Sequence, residues 1–86
     1  MDKLDTKEIP EKPGIYIFKD KFEDPLYVGK AKNLRKRVPS YFGQGTSWKV
    51  KRLVNEAFSI SFVVSQNEAN ALLAEYSFIQ EFKPKY

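Results

Sequence analysis

The amino-acid sequence predicts an α+β domain in which helices flank a small, mainly antiparallel, three-stranded sheet, in the chain order β-β-α-α-β-α. Two observations predict this class. The chain has 86 residues, 42 % of them apolar, which is enough for one hydrophobic core and not for two, so a single domain over residues 1–86 is expected. Runs rich in β-branched and aromatic residues also alternate along the chain with stretches of helical apolar spacing.

The three predicted strands are the most apolar runs of the chain. An extended N-terminal segment over residues 1–12 leads into Gly14–Lys19, whose β-branched and aromatic residues are typical of a strand. Residues 20–25 contain turn-forming aspartate and proline, so residues 26–29 are expected to pair with the first strand as a hairpin. Residues 59–65 alternate between polar and apolar side chains and predict the third strand.

Three segments show the spacing of amphipathic helices. Apolar residues at i, i+3 and i+7 predict the first helix over residues 31–38. A glycine-containing loop over residues 43–45 follows, and Ser47 is expected to cap a second helix over residues 48–57. The last helix is expected over residues 68–82, and the proline two positions beyond its end stops it.

The chain contains no cysteine and no histidine, and this excludes several kinds of chemistry. A disulfide framework, a Cys/His zinc site, a cysteine nucleophile and a Ser-His-Asp triad are all impossible. Acid–base chemistry must therefore come from carboxylates, tyrosines, lysines, bound water or a metal ion. The lack of cysteine fits a reducing compartment and no apolar run exceeds four residues, so we expect a cytoplasmic protein without a membrane partner.

The net charge of +4 is unevenly distributed along the chain. Residues 25–55 carry eight basic residues and no acidic one, so this segment has a charge of +8 and the remainder −4. Such a block favours a polyanionic partner, DNA or RNA, over a merely solvated surface, because it has no acidic residues to neutralise it. The candidate phosphate-binding residues are Lys30, Lys32, Arg35, Lys36, Arg37, Lys49, Lys51 and Arg52.

Glu75 and three tyrosines call for a chemical explanation. On a helical wheel of the last predicted helix, Glu75 lies within an apolar arc, where a carboxylate loses hydration unless something compensates it. A rim position or a pairing lysine would explain it, and so would a role as metal ligand or acid–base group. Tyr16, Tyr27 and Tyr41 are each compatible with a core position, but three phenols around a cationic patch and close to a carboxylate are an unusual combination.

The residues around these tyrosines resemble a known family. Gly-Ile-Tyr at residues 14–16 is followed by Tyr-Val-Gly at residues 27–29, and the pair is similar to the two motifs of the GIY-YIG nucleases. The basic continuation over residues 30–37 and the C-terminal segment over residues 67–86 resemble the UvrC branch of that family. The resemblance covers residues 9–86, which is nearly the whole chain.

The resemblance implies the GIY-YIG fold and a phosphodiesterase that uses one divalent cation, Mg²⁺ or Mn²⁺. Carried over residue by residue, it implies that Glu75 is the sole protein ligand of the metal and that Tyr27 is the general base or relay for the attacking water. Arg37 would hold the scissile phosphate through its bidentate guanidinium. The implied supporting side chains are Tyr16, Tyr41 and Lys30, the last as a partner of phosphate or of phenolate.

The resemblance further implies a place in nucleotide excision repair. The chain would be the amino-terminal endonuclease domain of a longer UvrC-type protein, cutting damaged duplex DNA 3′ to the lesion together with UvrB and the rest of UvrC. Three alternatives stay open: a stand-alone or polymerase-fused repair nuclease, a basic nucleic-acid-binding module without catalysis, and an RNA-processing domain. The joint presence of Tyr27, Arg37 and Glu75 favours a nuclease over a binding module, which does not need them.

Overall fold

The computed structural model describes residues 8–43 and 45–86. In chain order its elements are strands β1 (Gly14–Lys19) and β2 (Pro25–Ala31), helix α1 (Leu34–Arg37), a 3₁₀ helix (Val38–Phe42), helix α2 (Trp48–Glu56), strand β3 (Ser59–Val64) and helix α3 (Glu68–Phe82). The α+β class and the order β-β-α-α-β-α are therefore confirmed. Residues 1–7 of the expected N-terminal segment and Gln44 of the expected loop lie outside the described residues. Within the described ranges, no helix combines the length and apolar character that crossing a lipid bilayer requires.

The three strands form one antiparallel sheet in the order β2-β1-β3, so that β1 is central and β2 is an edge strand. β1 and β2 form the hairpin that the sequence predicts. Tyr16 of β1 lies between Gly29 of β2 and Phe62 of β3. The outer edge of β2 is bordered by side chains of α3 and of the segment that follows it, and this edge holds the candidate site.

Both faces of the sheet are covered by apolar clusters. Successive side chains of β1 point to opposite faces, so this strand contributes to both clusters. Tyr16 and Phe18 lie in the main core, on the face that α1 and α2 close. Ile15 and Ile17 lie on the opposite face, where they form a second cluster with Phe78 of α3 packed against it. These four β1 side chains are at most 5 % exposed. The central strand is apolar on both sides because it is buried on both faces of the sheet.

Gly14 and Gly29, one from each motif, are required by close packing. A Cβ on Gly29 would overlap the phenol ring of Tyr16, and a Cβ on Gly14 would overlap the backbone carbonyl of Val63. The ring of Tyr16 can therefore lie directly across β2, because the residue beside it has no side chain. The two motif glycines thus fix the position of a tyrosine that belongs to the candidate site.

The first helix is shorter than the sequence predicts. A helix over residues 31–38 is wrong at its start, because Ala31 pairs with Gly14 in the sheet and belongs to β2. Asn33 caps α1, and its side chain accepts a hydrogen bond from a backbone N–H of the first turn. After α1 the chain continues in 3₁₀ geometry, with Pro39 in the first turn. Sheet pairing thus outweighs the helical spacing of the apolar residues.

α3 buries much less of its apolar surface than its sequence suggests. Ala71 is the only fully buried residue of this helix, and Leu72 and Leu73 are 52 % and 68 % exposed. The apolar arc around Glu75 is therefore largely at the surface, and Glu75 itself is half-buried. Glu75 therefore has a rim position, which is one of the explanations that its place in an apolar arc left open, and it lies at the wall of an open cavity.

Candidate active site

Two cavities adjoin at the outer edge of β2. The first has a volume of about 430 Å³, and we name it the carboxylate cavity; its lining includes Tyr27, Val28, Glu75, Ile79, Lys83 and Tyr86. The second has a volume of about 670 Å³, and we name it the basic cavity; its lining includes Tyr27, Arg37, Trp48, Lys49, Arg52 and Lys85. Tyr27 and Tyr86 line both cavities and so form the wall between them.

Three tyrosines form a cluster on the main-core face of the sheet. The hydroxyl groups of Tyr16 and Tyr41 hydrogen-bond at 2.6 Å, and the two rings meet edge-to-face with centroids 5.5 Å apart. The ring centroid of Tyr27 lies 6.2 Å from each of the other two. Tyr16 and Tyr41 are 1 % and 7 % exposed, whereas Tyr27 is only half-buried. Tyr27 is therefore the member of the cluster that borders both cavities.

Burial determines the protonation of the two inner tyrosines. It raises the pKa of Tyr16 and the pKa of Tyr41, because an ionised phenol would lose its hydration there. The hydrogen bond between them adds to the rise in the pKa of Tyr41, while for the pKa of Tyr16 this bond and the Arg37 guanidinium oppose it. Both are neutral phenols at neutral pH, suited to holding the site together rather than to taking a proton.

This burial predicts a loss of stability in alkaline solution. A tyrosine of the unfolded chain ionises near pH 10, whereas Tyr41 in the folded state keeps its proton above that pH, so the unfolded state binds fewer protons there. The stabilisation is fully present below pH 10 and is lost as the pH rises above it. The free energy of unfolding should fall by at most about 1.4 kcal/mol per pH unit for each proton so retained.

Urea unfolding at a series of alkaline pH values measures this loss. The decline in the free energy of unfolding should be shallower in Tyr41→Phe than in the wild type, because phenylalanine has no proton to lose. Equal declines in the two proteins would show that Tyr41 does not keep its proton on folding.

Arg37 ends α1 beside the tyrosine cluster. Its guanidinium carbon lies 5.2 Å from the centroid of the Tyr41 ring, in cation–π geometry. Interaction with the Tyr16 hydroxyl raises the pKa of Arg37, so this side chain is a permanent cation. Arg37 is also exposed and lines the basic cavity, where its planar fork can meet a phosphate.

Lys30 lies on β2 but on the other face from Tyr27. It pairs with Ile15, whose side chain belongs to the cluster under α3, and side chains three positions apart on a strand point to opposite faces. Lys30 is exposed and lines, with Lys36 and Arg37, a shallow cavity of about 500 Å³. Of its two implied roles, its position supports contact with phosphate and not partnership with the Tyr27 phenol.

Two basic residues of the middle segment have acidic partners from outside it. Arg35 donates hydrogen bonds to the carbonyl oxygen of Ile9 at 2.8 Å and to the carboxylate of Glu11 at 2.6 Å. Arg35 therefore holds the N-terminal segment against α1, and two of its guanidinium nitrogens are engaged within the protein. Lys32 lies 3.9 Å from Glu68 in an exposed ion pair, which contributes little in water and leaves Lys32 accessible to a phosphate.

The basic residues of α2 point in two directions. Lys49 and Arg52 each lie 6.0 Å from the ring centroid of Trp48, and all three line the basic cavity. Lys51 lines a different cavity, together with Phe42. The sequence predicts that Trp48 begins a helix but assigns it no role, and it is 64 % exposed in the structure. Its position in the sequence next to a basic cluster is the signal that could have identified Trp48 as a candidate nucleic-acid contact.

Glu75 is the candidate metal ligand of the carboxylate cavity. Its half-buried side chain and Tyr27 line the same cavity. Glu75 is the one carboxylate among the described lining residues of this cavity, and the part of the chain that the structure describes has no cluster of three or more Asp, Glu, His or Cys residues that could hold a metal. A cation in this cavity would therefore have one carboxylate ligand. Mg²⁺ keeps several water ligands and needs only one or two carboxylates. The residues present therefore fit a hydrated magnesium ion.

A contact that no local pattern predicts holds the C-terminal segment beside the site. Tyr86 donates its hydroxyl hydrogen to Glu56 of α2, and Lys85 pairs with the same carboxylate at 3.1 Å. The hydrogen bond from Tyr86 lowers the pKa of Glu56. The backbone N–H of Tyr86 also donates to the carbonyl oxygen of Leu26 at 2.7 Å, which places its ring between the two cavities.

Comparison with known proteins points to one family. The model of the UvrC-like GIY-YIG domain matches residues 12–86 of the chain. UvrABC system protein C of Mesoplasma florum is 43 % identical over 81 residues, which are 94 % of this chain and 14 % of that protein. The protein of the same name in Streptococcus pneumoniae is 49 % identical over 78 residues, 91 % of this chain and 13 % of that protein. The chain spans about a seventh of the length of these relatives.

Solved structures have the same fold. The GIY-YIG N-terminal endonuclease domain of UvrC from Thermotoga maritima, bound to its catalytic divalent cation magnesium, matches with a TM-score of 0.85 at 42 % identity. The match covers 94 % of this chain and 89 % of that one. A variant of the same domain with an asparagine replaced by alanine, also bound to its catalytic cation, matches with a TM-score of 0.86. The resemblance to the GIY-YIG fold is therefore confirmed.

Proposed function

The chain belongs to the UvrC-like GIY-YIG domain family, and we propose that it is a divalent-metal-dependent DNA endonuclease domain. Support comes from the solved relative, whose fold is shared and which binds a catalytic magnesium ion. The observation that carries the proposal is the position of Tyr27. It lines the carboxylate cavity with Glu75 and the basic cavity with Arg37, so one phenol borders both a candidate metal ligand and a candidate phosphate ligand.

The proposed reaction is hydrolysis of one phosphodiester bond. A water oxygen forms a bond to phosphorus while the bond to the 3′ oxygen breaks, which leaves a 5′ phosphate and a 3′ hydroxyl. A divalent cation held by Glu75 supplies Lewis-acid stabilisation of the negative charge that develops on the phosphate. Tyr27 lies in the wall between the cavities, where its side chain can accept the proton of the attacking water as a phenolate, or relay it by passing its own hydroxyl proton to solvent. The departing 3′ oxygen takes a proton from a solvent water and becomes the hydroxyl.

The other side chains hold the substrate and the site. Arg37 binds two oxygens of the scissile phosphate through its planar fork and stabilises the charge that builds up in the transition state. Tyr16 and Tyr41, as neutral phenols, pack against the ring of Tyr27 and keep it in place, and Tyr41 also supports Arg37. Lys30 contacts a neighbouring phosphate from the shallow cavity that it shares with Arg37.

The proposed setting is nucleotide excision repair, with the 3′ incision of damaged duplex DNA in the cytoplasm as the task of this domain. The name that the relatives share and their greater length support a domain of a longer UvrC-type protein, in which UvrB and the rest of UvrC select the lesion. Phosphate contacts position DNA but carry no base information, so sequence specificity is not expected. The proposed outer phosphate contacts are Lys32, Lys36, Lys49, Lys51 and Arg52.

Incision of a duplex that contains one lesion, in the presence of UvrB, tests this function. We expect nicks 3′ to the lesion with Mg²⁺ or Mn²⁺ and none with EDTA, while binding of the duplex persists in EDTA because the basic side chains do not need the metal. Equally fast cleavage in EDTA would refute the metal-dependent mechanism. Binding without cleavage in all three conditions would identify a nucleic-acid-binding module instead.

A further inference from the structure

The basic cavity extends well beyond the residues that the proposed reaction uses. It runs from Tyr27 and Arg37 to Trp48 at the start of α2, and its volume of about 670 Å³ is in the range of ligand-binding sites. Four of its ten described lining residues are basic and none is acidic. Hydrolysis needs the end at Tyr27 and Arg37. At the other end Lys49 and Arg52 are proposed phosphate contacts, so only the indole of Trp48 has no assigned ligand.

Trp48 presents an aromatic face at this far end. Its side chain belongs to neither core cluster and is 64 % exposed, although tryptophan is among the most apolar side chains by area. The charged groups of Lys49 and Arg52 each lie 6.0 Å from its ring centroid. Single-stranded nucleic acids bind to this combination, because their bases stack on aromatic rings while their phosphates meet cations.

We propose that the basic cavity binds an unstacked nucleobase of the cleaved strand, with Trp48 as the stacking platform. The inference rests on the proposed nuclease function, which puts a phosphate at Arg37 in the same cavity. A base within a regular duplex is stacked on both sides and cannot lie on the indole, so the occupant is an unpaired nucleotide such as damaged or locally opened DNA provides. Stacking tolerates every base, so it adds affinity without sequence preference.

The chain has one tryptophan, so its fluorescence reports directly on this site. A short oligothymidylate, added in EDTA to prevent cleavage, should quench the emission of Trp48 as it binds. An oligonucleotide of the same length built from abasic residues keeps the phosphates and lacks the bases. We expect it to bind about ten-fold more weakly and to leave the emission nearly unchanged.

Three variants that keep every charge test the contribution of stacking alone. Fluorescence anisotropy measures how tightly each of them binds a labelled oligothymidylate. Trp48→Ala should bind about ten-fold more weakly, whereas Trp48→Phe should retain most of the affinity because its ring can still stack. Phe22→Ala is the matched control and should bind like the wild type. Phe22 is 73 % exposed and has the amino group of Lys21 5.2 Å from its ring centroid, but it does not line the basic cavity.

Equal quenching by the thymidine and abasic oligonucleotides would overturn the proposal in favour of a surface that binds phosphate only. Binding of the oligothymidylate without any quenching of Trp48 would overturn it too. So would the failure of the oligothymidylate to bind at low salt. A failure of the proposed function gives a different result, because damaged duplex then stays uncut in Mg²⁺ whether or not Trp48 is quenched.

Discussion

Glu75→Gln is expected to abolish metal-dependent DNA cleavage and to leave DNA binding intact. Glutamine has nearly the shape of glutamate, so α3 keeps its packing, but the carboxylate cavity loses the one carboxylate among its described lining residues. A divalent cation contributes several kcal/mol to stabilising the transition state, so we expect turnover to fall by about 10³-fold or more. Incision kinetics in Mg²⁺ and anisotropy with labelled duplex in EDTA measure the two effects.

Glu81→Gln is the matched control for this variant. It removes the same charge from the same helix, at an exposed position that lines neither cavity, and should cut at the wild-type rate. Wild-type cleavage by Glu75→Gln would show that the metal is held elsewhere. Loss of DNA binding together with cleavage would show that the substitution acts through the fold.

Arg37→Ala is expected to lower turnover by about 10²- to 10³-fold, the usual effect of removing one group that stabilises developing charge. The substitution removes the contacts of Arg37 with the Tyr16 hydroxyl and the Tyr41 ring, but the hydrogen bond between the two tyrosines and their ring packing remain, so the tyrosine cluster should survive the change. The affinity for DNA should fall much less, because other lysines and arginines still meet the phosphate backbone. Steady-state rates over a range of DNA concentrations up to saturation separate kcat from KM.

Two further variants show what kind of contact Arg37 makes. Arg37→Lys should recover only part of the lost turnover, since lysine keeps the charge and lacks the bidentate fork. Lys51 lines a neighbouring cavity and neither the carboxylate cavity nor the basic cavity. Lys51→Ala therefore removes a cation outside the candidate site and should mainly raise KM. Equal losses of turnover in Arg37→Ala and Lys51→Ala would reduce Arg37 to one general phosphate contact among several.

The sequence predicts the hairpin better than the helix that follows it. The first strand, Gly14–Lys19, is confirmed residue for residue, because its β-branched and aromatic run is a strong local signal. The second strand extends past the predicted residues 26–29 to Ala31, whose helical spacing with later apolar residues is misleading. Its pairing with Gly14 decides the matter, and that contact joins two parts of the chain that local spacing does not relate.

The candidate site shows the same division. Residue types and motif spacing single out Tyr27, Arg37 and Glu75 as candidates, and the structure brings all three to two adjoining cavities. Local patterns could not show that Lys30 lies on the opposite face of β2 from Tyr27, or that Glu56 accepts a hydrogen bond from the last tyrosine. The extension of β2 past residue 29, which its pairing with β1 brings about, decides the first of these facts, and the packing of the C-terminal segment against α2 decides the second.

By itself the sequence determined the order of the elements, the absence of histidine and cysteine chemistry, and a candidate set of tyrosines, one arginine and one glutamate. These properties are compositional or local, so spacing along the chain is enough to establish them. Only the tertiary structure decided that Tyr27 separates a carboxylate cavity from a basic one, and that the basic one reaches Trp48. Such meetings depend on strand register and on how helices pack against the sheet, and contacts between distant residues follow from the whole set of packing interactions rather than from any one segment.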